Sequence, residues 1–224
     1  MPTEIMCFNG NPNVGLYCYA NNNYCIVPLS FPNKIVEKIE NTLKVPVYRI
    51  NIAGTALVGV FLTGTDDLLL VPHIVFNREL ESLKKFGIKY EVIDSELTAL
   101  SNNILVGSEA VLINNEYNKK VEEKLSNLLN KKVVRVNLQN AKTVGSLLKV
   151  RGENAVASPL LKDKEVNTIK KILNLRNIER TTINFGNPFI SSGIVCNDKG
   201  LIVGCSTIGA ELMIIEQTLG FLNK

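Results

Sequence analysis

The chain has 224 residues, of which 46% are hydrophobic and 21% are charged, and its formal net charge is +4. This composition is typical of a globular protein and excludes a long disordered segment. The positive charge is too small to predict nucleic-acid binding by itself. The length permits one domain or two.

Cysteine usage argues against a secreted, disulfide-rich protein. The chain has five cysteines, which lie mostly within apolar runs, and no two of them form a Cys-x-x-Cys pair. They are Cys7, Cys18, Cys25, Cys196 and Cys205. An odd number of cysteines without a signal peptide does not suit a disulfide framework. We therefore expect side chains that pack as small buried hydrophobic groups.

No membrane-targeting or membrane-spanning segment is apparent. The first residues, Met1 to Glu4, lack the basic and apolar segments of a secretory signal. The longest uncharged stretch near the end, Leu201–Ala210, is too short to span a bilayer. The sequence therefore predicts a soluble, cytoplasmic protein.

The stretch from Gly15 to Ile50 predicts a strand, a turn, a strand, a helix and a strand. Two short apolar runs, Gly15–Ala20 and Tyr24–Pro28, flank a turn of three asparagines, which is typical of a hairpin. An alternating segment, 45–50, predicts the last strand. Between them, apolar residues recur at helical spacing, at Ile35, Val36, Ile39 and Leu43.

This unit recurs along the chain. The second strand ends successively at Pro28, Pro72, Asn115, Pro159 and Gly204. The hairpin turn recurs at Asn22, Asp66, Ser108, Glu153 and Asp198. The first strand opens at Gly15, Gly59, Asn102 or Asn103, Gly145 and Phe189. All three series share a period of about 44 residues, which is characteristic of repeat architectures.

The fifth unit lacks its own last strand, and the segment Thr3–Phe8 could supply it. This exchange would close the array into a ring, which removes the need for the polar caps of an open array. The sequence therefore predicts an α/β protein in which residues 1–224 form a single domain. Its five blades have their strands toward the axis and their helices outside.

Catalytic, metal and cofactor motifs are absent. His73, the one histidine, follows Pro72 at a predicted helix start, and no nucleophile or carboxylate motif accompanies it. Neither metal-ligand spacing nor a phosphate-binding glycine loop occurs, so we expect no metal and no cofactor. Lysines fall mainly on the polar helix faces, where they favour solubility.

Small and amide residues open each first strand, and the repeat places them together at one end of the ring. One interpretation is tight-turn geometry, for which glycine and asparagine are suited. The other is a rim that docks a macromolecular partner. The segments are 13–15, 57–59, 101–103, 143–145 and 186–188. The candidate partner-binding residues are Asn13, Gly15, Leu57, Gly59, Ser101, Asn102, Asn103, Thr143, Gly145 and Asn187.

A set of short motifs is spread along the chain, and together these motifs are specific. They are Phe8–Asn11 with Val14–Gly15, Asn21–Val27, Asn51–Gly54 leading to Val58–Gly59, Gly64 with Leu68–Pro72, Glu96–Asn102, Val144–Ser146, and Ser206–Thr207 with Glu211–Leu212. Through these motifs the chain resembles translation initiation factor 6 of archaea and eukaryotes over essentially its whole length.

The resemblance implies the five-bladed α/β-propeller, or pentein, fold. It also implies a monomeric translation initiation factor that binds the large ribosomal subunit at its intersubunit face and sterically prevents premature association with the small subunit. The family contacts universal large-subunit ribosomal protein 14, near the sarcin–ricin loop. A family Leu-Gly-Asn motif at that contact matches Leu100-Ser101-Asn102, which makes Asn102 the first candidate. The short C-terminus resembles archaeal members.

Two other functions remain open. The pentein fold also hosts guanidine-modifying enzymes, which need Cys, His and carboxylate groups around the central channel, whereas His73 lies at a helix start. A direct RNA-binding module would instead show steep dependence on salt concentration.

Overall fold

The computed structural model describes residues 1–222, which contain five three-stranded sheets. The strands are β1 Thr3–Met6, β2 Tyr19–Ala20, β3 Cys25–Val27, β4 Val47–Arg49, β5 Thr63–Gly64, β6 Leu69–Pro72, β7 Tyr90–Ile93, β8 Ile104–Val106, β9 Ala110–Asn114, β10 Lys132–Val136, β11 Leu148–Arg151, β12 Asn154–Ala157, β13 Asn177–Arg180, β14 Ile194–Cys196 and β15 Leu201–Gly204.

Five units repeat one order of elements: a short helix, two antiparallel strands, a long helix and a strand parallel to the second. The long helices of units 1 to 5 are Asn33–Leu43, Asn77–Lys85, Lys119–Leu129, Asp163–Ile172 and Gly209–Leu219. The short helices are Val14–Leu16, Val58–Phe61, Leu100–Asn103, Val144–Leu147 and Ile190–Gly193. In unit 1, for example, β3 pairs antiparallel with β2 and parallel with β4.

The third strand of unit 5 comes from the N-terminus. Strand β1 pairs in parallel with β15, in the register Thr3↔Leu201 to Met6↔Gly204. The middle strand of each sheet is almost wholly buried because strands cover both of its edges, whereas β1 exposes Ile5. The prediction that the segment Thr3–Phe8 supplies the last strand of the fifth unit is therefore confirmed.

The hydrophobic core is divided into clusters that each join two successive units. Ile26 of unit 1 packs with Leu69 of unit 2. Val156 of unit 4 packs with Leu201 of unit 5, and Ile202 of unit 5 packs with Val27 of unit 1. Because unit 5 shares a cluster with unit 1, burial of apolar surface itself holds the chain as a ring.

Local sequence signals predict some helix ends and misplace another by one residue. Asn118 caps the long helix of unit 3 by accepting the N–H of Val121 at 3.0 Å. Gly87 follows the long helix of unit 2 with φ 71°, as expected of a residue just beyond a helix. The predicted cap Asn77 is instead the first helical residue, and Phe76 precedes it.

The predicted start of the first strand is wrong. Gly15 and Leu16 belong to a 3-10 helix, and β2 begins only at Tyr19. The apolar run therefore contains a helical turn that packs on the neighbouring unit, a contact that periodicity within one unit does not reveal. Within residues 1–222, no helix is both long and apolar enough to cross a membrane.

Candidate functional site

The five short helices form a central ring in which each contacts the short helices of both neighbouring units. Their first residues are almost fully buried and are Val14, Val58, Leu100, Val144 and Ile190. Their second residues are all small and are Gly15, Gly59, Ser101, Gly145 and Ser191. A buried anchor followed by a small residue therefore lets the helices approach one another closely around the axis.

Close contacts between the backbones of neighbouring units explain why these second residues are small. A Cβ on Gly59 would lie 2.0 Å from the carbonyl oxygen of Gly15, and one on Gly145 would lie 1.9 Å from that of Ser101. A Cβ on Gly15 would lie 2.0 Å from the carbonyl oxygen of Ser191. None of these glycines has a positive φ. The tight-turn interpretation is therefore wrong for them, because close packing between units requires glycine here.

The structure also corrects the repeat register in two units. The counterpart of Gly15 is Ser101 in unit 3 and Ser191 in unit 5, rather than Asn102, Asn103 or Phe189. The hydroxyl of Ser191 donates to the carbonyl oxygens of Gly145 and Leu148, both at 2.7 Å. In unit 5 the serine at this position thus bonds to the neighbouring unit 4.

One end of the central ring opens into a cavity of about 320 Å³. Seven of the ten predicted residues line it: Asn13, Gly15, Gly59, Ser101, Asn102, Thr143 and Asn187. Leu57 directly precedes the short helix of unit 2 and is 37% exposed. Gly145 lines the cavity on the other side of the ring, and Asn103 is buried. We call the end that carries the first cavity the rim face.

Hydrogen bonds distinguish the four predicted asparagines. The side-chain oxygen of Asn13 accepts from Asn187 at 3.2 Å, and Asn187 also donates to Ser192 at 3.1 Å. Asn103 donates to the carbonyl of Ala99 at 2.9 Å. The Asn102 side chain, in contrast, has no hydrogen-bond partner anywhere in residues 1–222. Its amide is therefore the one that remains available to a partner.

Sequence reasoning missed several residues of the rim cavity, namely Leu16, Val60, Ser146, Phe189, Ser191 and Ser192. Ser192 donates to Asn13 at 3.1 Å and so joins the polar network of the rim. If the units are aligned on the buried first residues of their short helices, Ser146 and Ser192 occupy the position equivalent to Asn102. An alignment on the glycines of units 1, 2 and 4 misses this equivalence, because units 3 and 5 have serine at the glycine position.

A strained loop in unit 5 extends the rim face. An isolated bridge joins Ile183 and Asn187, and Asn184, Phe185 and Gly186 between them all have positive φ. Phe185, at φ 63°, is 77% exposed. The strain of a large side chain in this region is therefore not compensated by packing in the chain itself.

The carboxylate of Glu211 holds this loop. Glu211 is 4% exposed and accepts the N–H groups of Phe185, Gly186 and Ile208 at 2.9–3.1 Å. The hydroxyl of Thr182 donates to it at 2.6 Å. Burial alone would raise the pKa of Glu211, but these four hydrogen bonds together lower it below the ordinary value.

We expect Glu211→Gln to lower the free energy of unfolding at neutral pH by about 2 kcal/mol, because the amide cannot accept all four donors. Since folding lowers the pKa, the contribution of the carboxylate is complete above the ordinary value of 4.5 and is lost as the pH falls through the folded value. Urea denaturation across this range checks both effects. Glu123→Gln, at an exposed helix position, is the control, and equal acid sensitivity of Glu211→Gln and wild type would contradict the assignment.

The other side of the central ring opens into a cavity of about 380 Å³, lined in part by Cys18, Cys196, Lys149 and Arg151. Burial raises the pKa of Cys18 to about 12 and also raises that of Cys196. Both thiols are therefore protonated at neutral pH and are poor nucleophiles. His73 lies elsewhere, 3.8 Å from Asp94.

No group of three or more His, Cys, Asp or Glu side chains that could hold a metal ion occurs among residues 1–222. The expectation of buried cysteines is confirmed for Cys18, Cys25 and Cys196. It is wrong for Cys205, which is exposed, and Cys7 is only partly buried. These two lie at the ends of paired strands rather than within the core.

Solved structures similar to this one include a DDAH and an amidinotransferase. DDAH from Pseudomonas aeruginosa, in complex with citrulline, superimposes with a TM-score of 0.51 at 15% identity, covering 75% of this chain and 68% of its own. The amidinotransferase SxtG from Microseira wollei gives 0.53 at 10% identity, covering 81% and 63%. At such identities the likeness concerns the fold alone, and it confirms the predicted pentein fold.

Proteins with similar sequences identify the family more specifically than the solved structures do. Translation initiation factor 6 of Staphylothermus marinus is 35% identical over 214 residues, which are 94% of each chain. That of Saccharolobus islandicus is 34% identical over 94% of this chain and 96% of its own, and that of Pyrococcus horikoshii is 28% identical over 99% and 100%. The eIF-6 family model matches residues 3–218. The chain therefore belongs to the eIF-6 family.

Proposed function

We propose that this translation initiation factor binds the large ribosomal subunit through its rim face and thereby prevents premature association of the small subunit. The observation that carries the proposal is the convergence of the predicted residues on one cavity, where Asn102 has an unpaired amide. Residues 1–224 act as one cytoplasmic, monomeric domain. The docking site is the intersubunit face, at universal large-subunit ribosomal protein 14 near the sarcin–ricin loop.

Exposed apolar side chains on the same end support a macromolecular partner. Phe185 is 77% exposed, Phe189 is 42% exposed and Ile208 is 44% exposed. Phe189 lines the rim cavity, and one carboxylate binds the backbone of both Phe185 and Ile208. Large exposed apolar and aromatic side chains on a surface that also carries an unpaired amide, here that of Asn102, are typical of surfaces that become buried on association.

The mechanism is steric. A rigid ring that occupies part of the intersubunit face removes surface on which the small subunit would bind, and no covalent bond changes. The protonated thiols of the opposite cavity support a non-catalytic role, since a guanidine-modifying enzyme needs an activated Cys with a nearby His. The only histidine, His73, lines neither cavity and lies 3.8 Å from Asp94.

Sedimentation with purified ribosomal subunits tests the proposal. The protein should co-sediment with the large subunit, not with the small subunit, and should reduce joining of the two when added in excess. Repeating the experiment at several salt concentrations separates protein docking from direct RNA binding, for which affinity falls steeply with salt. Failure to co-sediment with the large subunit at every salt concentration would overturn the proposal.

Phe185→Gly should separate binding from folding. Glycine adopts the left-handed backbone without strain, so we expect the free energy of unfolding to stay constant or rise by up to about 1 kcal/mol. Affinity for the large subunit should fall about tenfold, because an exposed aromatic anchor is lost. Met213→Ala removes an exposed side chain from the long helix of unit 5 and serves as the control. A variant that is destabilised yet binds normally would show that Phe185 serves the fold.

A further inference from the structure

Two cysteines lie where the two ends of the chain meet. Strand β1 ends at Met6 and β15 ends at Gly204, and these residues are paired. The next residue of each chain segment is Cys7 and Cys205 respectively. Since side chains alternate along a strand, Cys7 continues the face of Thr3 and Ile5, and Cys205 continues the face of their partners. The two thiols therefore lie on the same face of the closing sheet.

Cys7 and Cys205 are close enough that the Cys7 thiol adds to the effect of burial in raising the pKa of Cys205. Neighbouring strands lie about 4.8 Å apart, a separation within the roughly 4.4–6.8 Å between Cα atoms that a disulfide requires. Cys205 is exposed and Cys7 is partly exposed, whereas the other three cysteines are buried. Small reagents can thus reach this pair and not the others.

We propose that Cys7 and Cys205 are a redox modification site whose disulfide locks the ring at its closure. The oxidant is a low-molecular-weight disulfide. The Cys205 thiolate attacks one of its sulfurs, forms a mixed disulfide and releases one small thiol. Cys7 then loses its proton to solvent and attacks the sulfur of Cys205. This step forms the Cys7–Cys205 bond and releases the second small thiol, so two protein thiols are oxidised as one small disulfide is reduced.

The bond would have a large effect because of the loop that it closes. Cys7 and Cys205 enclose nearly the whole chain, and the stabilisation by a disulfide grows with the length of the enclosed loop. In the reduced protein, four-residue strand β1 supplies the backbone pairing that completes the fifth sheet. The disulfide would keep β1 attached to β15 even when the rest of the chain opens.

Although Cys205 is exposed as a residue, partial desolvation of its thiol raises its pKa, and the neighbouring Cys7 thiol raises it further. The thiolate fraction is consequently small at neutral pH, so exchange should be slow there and should accelerate as the pH rises. A slow, pH-dependent reaction suits a lock that responds to sustained oxidation rather than a catalytic thiol.

The test incubates the full-length protein with oxidised glutathione, then traps free thiols by alkylation under denaturing conditions. Peptide mass spectrometry should find Cys7 cross-linked to Cys205, with Cys18, Cys25 and Cys196 alkylated. The melting temperature should rise by about 10 °C, and dithiothreitol should reverse the shift. Cys7→Ser and Cys205→Ser should match reduced wild type and show no shift on oxidation.

Three outcomes would overturn the proposal: five free thiols after incubation, glutathione adducts without the cross-link, or disulfides between molecules only. The cross-link is mapped on wild-type protein, so the result does not depend on whether the serine variants fold. Because it also needs no ribosomal subunit, failure here and failure of the proposed function are distinguished.

Discussion

Asn102→Arg is expected to weaken binding to the large ribosomal subunit by roughly 30-fold or more, the loss typical of a central interface position. The side chain of Asn102 lines the rim cavity and has no hydrogen-bond partner within residues 1–222. A longer, charged group there would both remove the amide and hold the partner away from the rim. The midpoint of urea unfolding should change little, since such a partly exposed side chain contributes at most about 0.5 kcal/mol.

A matched variant separates the effect of the position from the effect of introducing an arginine. Asn167→Arg makes the same change on the exposed surface of the long helix of unit 4, where the side chain also has no hydrogen-bond partner in the described chain. It should bind like wild type in co-sedimentation titrations. If both variants bind equally well, the docking surface lies elsewhere on the ring. If Asn102→Arg unfolds early, the loss of binding cannot be assigned to contact.

The fold was largely predictable because its signals are local and repeated. The recurring strand ends, from Pro28 to Gly204, fix five units, and the missing last strand of the fifth directs attention to the free segment at Thr3. Hydrophobic periodicity then places each long helix. Such features depend on neighbours along the chain, which the sequence displays directly.

The site was predictable only in part, because its details depend on contacts between units. Gly59 and Gly145 were candidates as exposed rim residues, yet the carbonyl of the preceding unit excludes a side chain at each. Asn102 and Asn103 are adjacent in sequence, but one amide is unpaired and the other is buried against Ala99. The placement of Cys7 beside Cys205 likewise depends on the register of two strands from opposite ends of the chain.

Gly59→Ala should cause a large loss of stability for a single methyl group. The added Cβ would lie 2.0 Å from the carbonyl oxygen of Gly15 and 2.6 Å from that of Cys18. Both obstacles are backbone atoms of unit 1, so no rotamer change can relieve the overlap and the two units must separate. We expect the free energy of unfolding to fall by about 3 kcal/mol, at the upper end of the range for overpacked sites. Urea denaturation measures this loss of stability, provided that the free energy of unfolding falls with urea concentration at the same slope in both proteins.

Gly209→Ala is the matched control because an added Cβ there meets nothing within 4 Å. Gly209 is the first residue of the long helix of unit 5, where alanine should be neutral or stabilising by up to about 1 kcal/mol. A loss below about 1 kcal/mol for Gly59→Ala would mean that the central ring can widen. A loose ring could not present the rim residues of different units in one fixed arrangement. The stability of Gly59→Ala therefore tests the rigidity on which the proposed steric exclusion of the small subunit depends.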